Sequence, residues 1–538
     1  MKKYFAAGSS SVKNDITAGI TTSLAMIPEV VAFAFVLGID PLVALSGAFM
    51  VGLIAAIFGG RPGLISGAAG AVAVVLINLI IEGNARGLNF EEPVQNMGYY
   101  YLLATVILMG AIQLIAGVFK LGRFVRLIPH PVMMGFVNGL AIVIFLAQLK
   151  MFYRKDLATG IENLMPQGEL LSMGLMVLVT MALVYMLPKI KFTKKLPAAL
   201  TAILVVTFIK IGLDLDISTV GSYIREGGGD GLKGKFPTPN LELWKYLPFT
   251  LDTLKFITPY ALLAAAVGLI ETLMTLNLVD EITETRGDGN KECLAQGFSN
   301  TISGLFGGTA GCGMIGQTMI NINSKGRGRL SGISMAVTLI IFILFMDTYI
   351  EMVPIAALVG VMFMMVIETF AWSSFRILRR IPKSDAFVLI AVSTITVFVD
   401  LAIAVISGVI ISALVFSWES AKRVRVNRKI KEDGTKVYDV WGTVFFGSIQ
   451  SFNAKFDINN DPENIEIDFI EARIADHSAL EAINVLVEKY KNKGKNVKLK
   501  HLSTECKNLM RKASPNINEV IEESVEDPRY HVMAKALQ

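Results

Sequence analysis

The hexapeptide Phe58-Gly59-Gly60-Arg61-Pro62-Gly63 recurs 248 residues later as Phe306-Gly307-Gly308-Thr309-Ala310-Gly311, with the phenylalanine and three glycines retained. Each copy follows an apolar segment and precedes a short segment rich in small residues. Each also lies downstream of an acidic residue within an apolar stretch, Glu29 in the first half and Glu271 in the second. Duplicated halves with glycine-interrupted hydrophobic segments at matching positions are typical of secondary transporters, and those segments mark the binding site.

The composition indicates a membrane protein. Of the 538 residues, 53% are hydrophobic and 18% are charged, and the mean hydropathy is +0.55. A soluble protein of this size would expose far more charge. The net charge of +5 does not indicate a nucleic-acid partner, because the cations lie in loops between apolar runs, where they set the orientation in the bilayer.

The sequence indicates neither an enzyme nor a cofactor-binding protein. Cys293, Cys312 and Cys506 lack the spacing of a metal site or of a disulfide framework. No catalytic triad, metal cluster or nucleotide-binding loop is visible in the sequence. We therefore predict that the chain is not an enzyme and that it needs no cofactor.

The apolar runs predict an all-α membrane domain with fourteen transmembrane segments. A spanning helix needs roughly 20 apolar residues, and the third, ninth and tenth segments are short or interrupted by glycine. The predicted segments are 16–38, 41–58, 64–81, 99–119, 131–151, 169–188, 196–213, 254–279, 293–306, 312–323, 330–347, 354–373, 385–399 and 401–419. They divide into repeat 1, about 16–213, and repeat 2, about 254–419, which a long outer loop, 214–253, connects.

Loop charges predict the orientation. From a cytoplasmic N-terminus, residues 1–15, the predicted inner loops are basic, as in 325–329 and 376–383, whereas the outer loops contain Glu82 and Glu351. This distribution follows the positive-inside rule and places both termini in the cytoplasm. The two glycine motifs then lie on opposite sides of the membrane, so that a seven-plus-seven duplication must be an inverted repeat.

The end of the chain has a different pattern. Residues 420–435 predict a basic linker, and residues 436–538 predict a small cytoplasmic α/β domain with alternating strands and helices. Its predicted strands are 437–446, 465–470 and 497–502, and its predicted helices are 478–490 and about 505–511. Ser478 at the predicted helix start is either a simple N-terminal cap or a phosphoacceptor and partner-contact site.

Two acidic residues are candidates for chemistry. A carboxylate at Glu271 costs several kcal/mol inside a membrane unless it is paired, protonated or bound to an ion, and Thr275 lies one helical turn further on. Glu271 is either a buried structural group or a substrate and coupling site. Glu29 follows Pro28, which frees a backbone carbonyl and predicts a kinked or unwound helix. Glu29 is either a proton or gating site or a cap for that distortion.

The segments after the glycine motifs, 66–73 and 311–318, are rich in small residues near their starts. If each enters the membrane extended and becomes helical at mid-depth, two helix N-termini face each other. Their free N–H groups and positive dipole ends would attract an anion. Close helix packing by small residues is the alternative, but the occurrence of both segments at inverted positions favours the anion site.

The chain resembles bacterial members of the sulfate permease (SulP) family of inorganic anion transporters, from about Asn14 to Lys512. The similarity rests on the segments 27–34, 268–275, 297–308 and 314–321, followed by Gly326-Arg-Gly-Arg-Leu330. The C-terminal domain resembles the STAS domain of this family through segments 442–447 and 476–480. In that domain Ser478 falls where relatives carry a regulatory serine.

The resemblance implies a uracil permease-like fold in which a core domain, segments 1–4 and 8–11, moves against a gate domain, segments 5–7 and 12–14. It also implies homodimers in the bacterial inner membrane. The implied substrate-binding residues are Ala69, Gly70, Ala71, Glu271, Gly313, Met314 and Ile315. The implied coupling-ion residues, for sodium or a proton, are Glu271, Thr275, Gly313 and Ile315. If these residues hold a metal ion, it is sodium bound at Glu271.

One departure from the family pattern affects the substrate. Several relatives have Pro-Thr-Gly-Pro where this chain has Ala68-Ala69-Gly70-Ala71. The side-chain hydroxyl for the anion is therefore missing at Ala69, which leaves backbone donors and Ser66.

Together these features predict a sodium- or proton-coupled secondary transporter of a small inorganic anion, operating by elevator-type alternating access. Bicarbonate and sulfate are the leading substrates, and chloride is the next. The alternatives are a dicarboxylate or nucleobase carrier on the same fold, or a membrane anion sensor that signals through the STAS domain. The expected partners are the anion, the lipid bilayer, a second copy of the chain and a cytoplasmic partner of the STAS domain.

Overall fold

The computed structural model describes residues 11–90, 94, 96–122, 129–155, 162–190, 197–215, 217–226, 234–247, 250–399, 401–513 and 519–522. Most of the predicted N-terminal segment 1–15 and the last residues of the predicted C-terminal domain lie outside the described residues. The chain forms two compact units, Met1–Val409 and Ile410–Gln538, and each is described by itself.

The first unit is helical, with two short antiparallel strand pairs. Its first half contains α1 (Val12–Leu37), α2 (Pro41–Phe58), β1 (Ser66–Ala68), α3 (Gly70–Leu88), α4 (Met97–Val118), α5 (His130–Leu149), β2 (Tyr153–Lys155), β3 (Glu162–Leu164), α6 (Gln167–Met186) and α7 (Ala198–Gly212). The predicted outer loop 214–253 contains two short helices that the sequence did not predict, α8 (Val220–Glu226) and α9 (Glu242–Tyr246).

The second half begins with the longest of the described helices. It contains α10 (Leu251–Thr283), α11 (Gly289–Leu305), β4 (Gly311–Gly313), α12 (Ile315–Asn323), α13 (Arg329–Phe345), α14 (Asp347–Glu351), α15 (Ile355–Thr369), α16 (Ser373–Ile377), α17 (Lys383–Phe398) and α18 (Leu401–Lys422). The last of these crosses the boundary between the two units.

A described helix overlaps each of the fourteen predicted segments. Among the described residues, eight helices are long and apolar enough to cross a membrane, and two shorter apolar helices, α7 and α13, accompany them. The chain is therefore a polytopic membrane protein. The number of spans and the inverted symmetry remain predictions.

Local sequence explains where the first helices begin and end. Gly38 ends α1 in the left-handed region at φ +69°, where a side chain would be strained. Asp40 then accepts a hydrogen bond from the Leu42 N–H at 2.8 Å, and Pro41 occupies the first helical position of α2, where no N–H is needed. α1 stays helical through Pro28, so the structure shows no unwinding at that proline.

The helices of the first unit pack in two groups. α1 to α4 pack with α10 to α13, whereas α6 packs with α7, α15 packs with α5, α6 and α7, and α17 packs on α5. α1 meets α7 and α15 across the two groups. The core and gate division that the family resemblance implies stays a prediction.

The strands β1 and β4 lie at the centre of the first group. They pair antiparallel with Ser66 opposite Gly313, Gly67 opposite Cys312 and Ala68 opposite Gly311. Each strand is followed within two residues by a helix, α3 or α12. The predicted change from an extended to a helical backbone is therefore confirmed in both segments.

The second unit contains a four-stranded sheet in the order β5-β6-β7-β8. Its elements after α18 are β5 (Arg425–Ile430), β6 (Lys436–Val444), α19 (Ile449–Asn453), β7 (Asn464–Ile474), α20 (His477–Asn492), β8 (Asn496–Lys500) and α21 (Thr504–Ala513). β6, β7 and β8 are parallel, and β5 is antiparallel to β6. The apolar core includes Tyr438, Phe452, Ile467, Ile483 and Tyr490.

Two expectations for this unit need correction. The segment 420–435, predicted to be a linker, contains the edge strand β5. Most side chains of β5 are exposed, and charged exposed edges are how native sheets avoid pairing with other chains, so the sequence shows little strand pattern. The helix cap next to Ser478 is Asp476, whose carboxylate accepts the Ala479 N–H at 2.8 Å. Ser478 is exposed in the first turn and is not the cap.

Candidate functional site

The paired strands bring the starts of two helices together. α3 begins at Gly70 after the extended residue Ala69, and α12 begins at Ile315 after the extended residue Met314. Helix geometry leaves the N–H groups of the first turn without intrahelical partners, and neither Ala69 nor Met314 caps its helix through a side chain. Two sets of backbone donors and two positive dipole ends are therefore available near the β1–β4 pair.

Corresponding positions in the two halves are separated by fewer residues at the half-helices than at the glycine motifs. The starts of α3 and α12 are 245 residues apart, whereas the motifs are 248 apart. The connection from the motif to the strand is three residues longer in the first half. Gly63 thus precedes β1, with φ +84°, whereas Gly311 is the first residue of β4.

The predicted substrate residues of the first half lie where the sequence analysis expected them. Ala69, Gly70 and Ala71 are buried at the start of α3. A Cβ atom at Gly70 would lie 2.3 Å from the ring of Phe33. A side chain at this position would therefore displace the Phe33 ring.

The predicted substrate residues of the second half have two roles: some hold β4 in place, and one begins the free end of α12. The Gly313 N–H donates to Thr272 Oγ1 at 2.8 Å, and its carbonyl accepts from Thr275 Oγ1 at 3.1 Å. The Met314 N–H donates to the Ile65 carbonyl at 2.9 Å. Gly313 and Met314 thus use these groups to hold β4 in place, and Ile315 is the first residue whose N–H belongs to the free end of α12.

Sequence reasoning missed Gly316, the second residue of α12. It is exposed, and no atom lies within 4 Å of the position that a Cβ would take. Its N–H belongs to the first helical turn, where no intrahelical acceptor exists. The signal for it was a glycine directly after the start of a predicted half-helix, at the same offset as Ala71 in the first half.

Glu271, Thr275 and Gly313 come together beside β4. A carboxylate oxygen of the partly buried Glu271 accepts from the Cys312 thiol at 3.0 Å. Thr275 Oγ1 donates to the carbonyl of Glu271 at 2.8 Å. Carboxylate, hydroxyl and backbone carbonyl oxygens are the kinds of ligand that sodium takes in transporters; here the Thr275 hydroxyl bonds the carbonyls of Glu271 and Gly313 and not the carboxylate. Among the described residues no cluster of three His, Cys, Asp or Glu side chains could hold a metal ion.

The positions of the first half that correspond to Glu271 and Cys312 are apolar. Met26 and Gly67 lie 245 residues before Glu271 and Cys312, and a Cβ at Gly67 would lie 3.0 Å from the Met26 sulfur. The contact between α1 and β1 therefore corresponds to the contact between α10 and β4. The second half carries the ionisable group, and the first half carries a thioether.

Glu29 is placed against the second half-helix. Its carboxylate accepts a hydrogen bond from the side-chain amide of Gln317, the buried third residue of α12. Glu368 of α15 lies close enough to interact with Glu29 electrostatically. The sequence predicted a role for Glu29 but did not identify Gln317, because their contact joins residues that are far apart in the chain.

Comparison with known proteins identifies relatives of this arrangement. Residues 12–392 match the sequence profile of the sulfate permease family. The chain is 38% identical to a Bacillus subtilis protein, YbaR, named as a candidate sulfate transporter, over 93% of this chain and 97% of that protein. It is 31% identical to the bicarbonate transporter BicA of Picosynechococcus, over 75% of this chain and 69% of that protein.

A solved structure shares the fold. Murine Solute Carrier 26 family member A9, an anion transporter solved in an inward-facing state, superposes with a TM-score of 0.79 at 16% sequence identity. The superposition covers 99% of this chain and 92% of that one.

Proposed function

Because this chain belongs to the sulfate permease family of transporters, we propose that it is a secondary active transporter of a small inorganic anion and that the anion binds between the starts of α3 and α12. The observation that carries the proposal is the antiparallel β1–β4 pair. It sets two uncapped helix N-termini beside each other, and such ends bind anions through backbone N–H groups and the helix dipole.

The chemistry of the site supports a small oxyanion. Ala69 and Met314, the residues that precede the two helices, offer no polar side-chain atoms other than the methionine sulfur, so that the donors are backbone N–H groups. Such donors bind any compact anion and do not read the pattern of a nucleobase edge. The names of the relatives support sulfate and bicarbonate as the substrates to test first, followed by chloride.

We propose that Glu271 couples transport to a cation. Thr275 Oγ1 bonds the backbone carbonyls of Glu271 and Gly313, so that further oxygen atoms lie on the same turn of α10 and on β4. A charged carboxylate near the anion would repel it, whereas sodium or a proton at Glu271 removes that repulsion. Cation binding then favours anion binding, which is the thermodynamic requirement for symport.

Alternating access is proposed to occur by an elevator-type shift of one helix group against the other. The packing of α1 to α4 with α10 to α13 supports this division, because both half-helices and Glu271 belong to the same group. The matching contacts of Met26 with Gly67 and of Glu271 with Cys312 support an inverted seven-plus-seven duplication. The proposal includes homodimers in the bacterial inner membrane with both termini cytoplasmic, and regulation through Ser478 in a STAS-type domain.

The test is uptake of labelled bicarbonate, sulfate, chloride and fumarate into proteoliposomes of the purified chain, with and without sodium and pH gradients. We expect uptake of bicarbonate or sulfate that an inward cation gradient accelerates. Uptake of fumarate alone would favour the dicarboxylate carrier. Anion binding without any flux above that of protein-free liposomes would support the sensor and contradict the proposal.

A further inference from the structure

One side of α11 carries a buried polar side chain on every turn. Glu292, Gln296 and Asn300 are spaced by four residues, and Ser303 follows three residues later, so that all four lie on one face of the helix. Each is at most 1% exposed. We refer to these four side chains as the polar stripe of α11. Polar groups buried at membrane depth are costly unless they are hydrogen-bonded.

The cytoplasmic half of the stripe binds the first glycine motif and the start of β1. A carboxylate oxygen of Glu292 accepts from the Gly60 N–H at 2.7 Å and the Arg61 N–H at 3.2 Å. The Gln296 amide donates to Ser66 Oγ at 2.6 Å and to the other Glu292 oxygen at 3.1 Å. Two consecutive turns of α11 therefore fix the segment that leads into β1.

The other half of the stripe binds the second glycine motif and the start of β4. The Asn300 side chain accepts from the Gly311 N–H at 2.8 Å and donates to the Gly311 carbonyl at 2.9 Å. It thereby makes the pair of bonds that a neighbouring strand would make with Gly311. Asn300 also donates to Gln113 Oε1 at 2.9 Å, and Ser303 donates to the Thr309 carbonyl at 2.7 Å.

A ribbon of two three-residue strands is too short to be stable alone, yet its register decides where α3 and α12 begin. A slip of one residue would move one helix start by about 3.3 Å, which exceeds the tolerance of a hydrogen bond. We propose that the polar stripe of α11 positions both helix N-termini for the anion, and that Asn300 and Gln296 are positioning residues for transport. This inference rests on the proposed function, because it concerns the same site.

The chain offers a matched control on the same helix. Ser299 is as buried as the stripe, but its hydroxyl donates to the Gln296 carbonyl of its own helix at 2.9 Å. Ser299→Ala therefore removes a buried hydrogen bond from α11 without touching either strand. Asn300→Asp keeps the acceptor for the Gly311 N–H, but it loses both donated bonds and sets a carboxylate oxygen against two other oxygens.

The experiment combines transport with amide hydrogen exchange on the full chain in nanodiscs and proteoliposomes. Asn300→Ala, Asn300→Asp and Gln296→Leu each lose two or three buried hydrogen bonds, and they should raise the KM for the transported anion at least about tenfold, the effect of losing one such bond, with a smaller change in the maximal rate. Amide exchange should accelerate in residues 66–72 and 311–317. Ser299→Ala should leave both quantities unchanged.

A double variant tests whether Gln296 and Ser66 act through their mutual hydrogen bond, which a general loss of folding would not reproduce. The buried Ser66 hydroxyl accepts from Gln296, and the inference assigns it to the stripe and not to the anion, so that Ser66→Ala combined with Gln296→Leu should raise the KM no further than Gln296→Leu alone. Unchanged exchange in the two segments, or faster exchange with an unchanged KM, would overturn the inference. If the wild-type chain transports none of the anions, the proposed function fails, and the exchange measurement still decides whether the stripe fixes the two segments.

Discussion

At the scale of single residues, the proposed coupling of an anion to a cation rests on Glu271. The Cys312 thiol is a weak donor to its carboxylate, and the Thr275 hydroxyl is bound to backbone carbonyls instead. An ionised Glu271 is therefore poorly stabilised by the described side chains and favours a bound cation or proton.

We predict that Glu271→Gln abolishes the dependence of anion uptake on sodium and pH and lowers the rate at least tenfold, because the amide cannot bind or release the coupling cation. Uptake across a series of sodium concentrations and pH values measures this effect. Glu281→Gln, which removes an exposed charge from the same helix, is the control. A Glu271→Gln variant with the wild-type sodium and pH dependence would exclude the coupling role.

In the second unit, Asp461 carries a buried charge that is fully hydrogen-bonded, unlike that of Glu271. Its carboxylate accepts hydrogen bonds from Lys436, Tyr438 and Tyr490, and its side chain is fully buried. Burial alone would raise the pKa of Asp461, but the bonds from Lys436, Tyr490 and Tyr438 outweigh burial and hold that pKa below its usual value. The stabilisation is thus present above about pH 4, the unfolded pKa, and is lost as the pH falls through the lower folded value.

We predict that Asp461→Asn destabilises the second unit by about 2 kcal/mol at neutral pH, the range of a hydrogen bond to a charged group. The difference from the wild type should shrink as the pH falls below about 4. Amide exchange of β6 and β7, compared with the wild type at each pH, measures it. Asp439→Asn, which breaks the more exposed pair with Lys429, should cost less than about 1 kcal/mol. Equal effects of the two variants would contradict this assignment.

At the scale of elements, the two half-helices are the part of the site that could be predicted from sequence. Glycines and small residues at 66–73 and 311–318 predicted an extended entry followed by a helix, because glycine tolerates the close approach of two backbones. The roles of Gln317 and of the polar stripe could not be predicted. The contacts of Gln296 with Ser66 and of Gln317 with Glu29 join residues more than two hundred positions apart, and no local pattern encodes those pairs.

The account makes a specific prediction for the start of α3. In Ala69→Asp, the carboxylate would bind the free N–H groups as an N-terminal cap and repel an anion, so that helix stability is kept while anion uptake is lost. Ala69→Asn has the same shape without the charge. It should weaken uptake less than Ala69→Asp does, in the same proteoliposome measurement. Equal uptake by wild type and Ala69→Asp would show that the anion does not bind at this helix end.

At the scale of the whole molecule, hydropathy predicted the helices well, because the bilayer requires long apolar segments, whereas the orientation predicted from loop charge stays a prediction. The sequence did not predict the strand β5, because its residues are mostly exposed and several are charged. Arg425, Arg428 and Lys429 make it read as a basic linker, although it pairs along its whole length with β6. Orientation is a property of the whole chain in the membrane and calls for a direct test.

Cys506 is a natural reporter of orientation. It is partly exposed in the second unit, whereas Cys293 and Cys312 are buried. We predict that a membrane-impermeant maleimide labels the chain in inside-out vesicles and not in right-side-out vesicles, because the proposed topology places the C-terminal domain in the cytoplasm. Cys506→Ser should abolish the labelling. Labelling of Cys506 in right-side-out vesicles would contradict the proposed topology.

The most direct test of the central claim is the uptake of labelled sulfate and bicarbonate into proteoliposomes by the wild type and by Ala69→Asp, under an inward sodium or proton gradient. The account predicts gradient-dependent uptake of at least one anion by the wild type and none above protein-free liposomes by the variant. Absence of uptake by the wild type, or full uptake by Ala69→Asp, would contradict it.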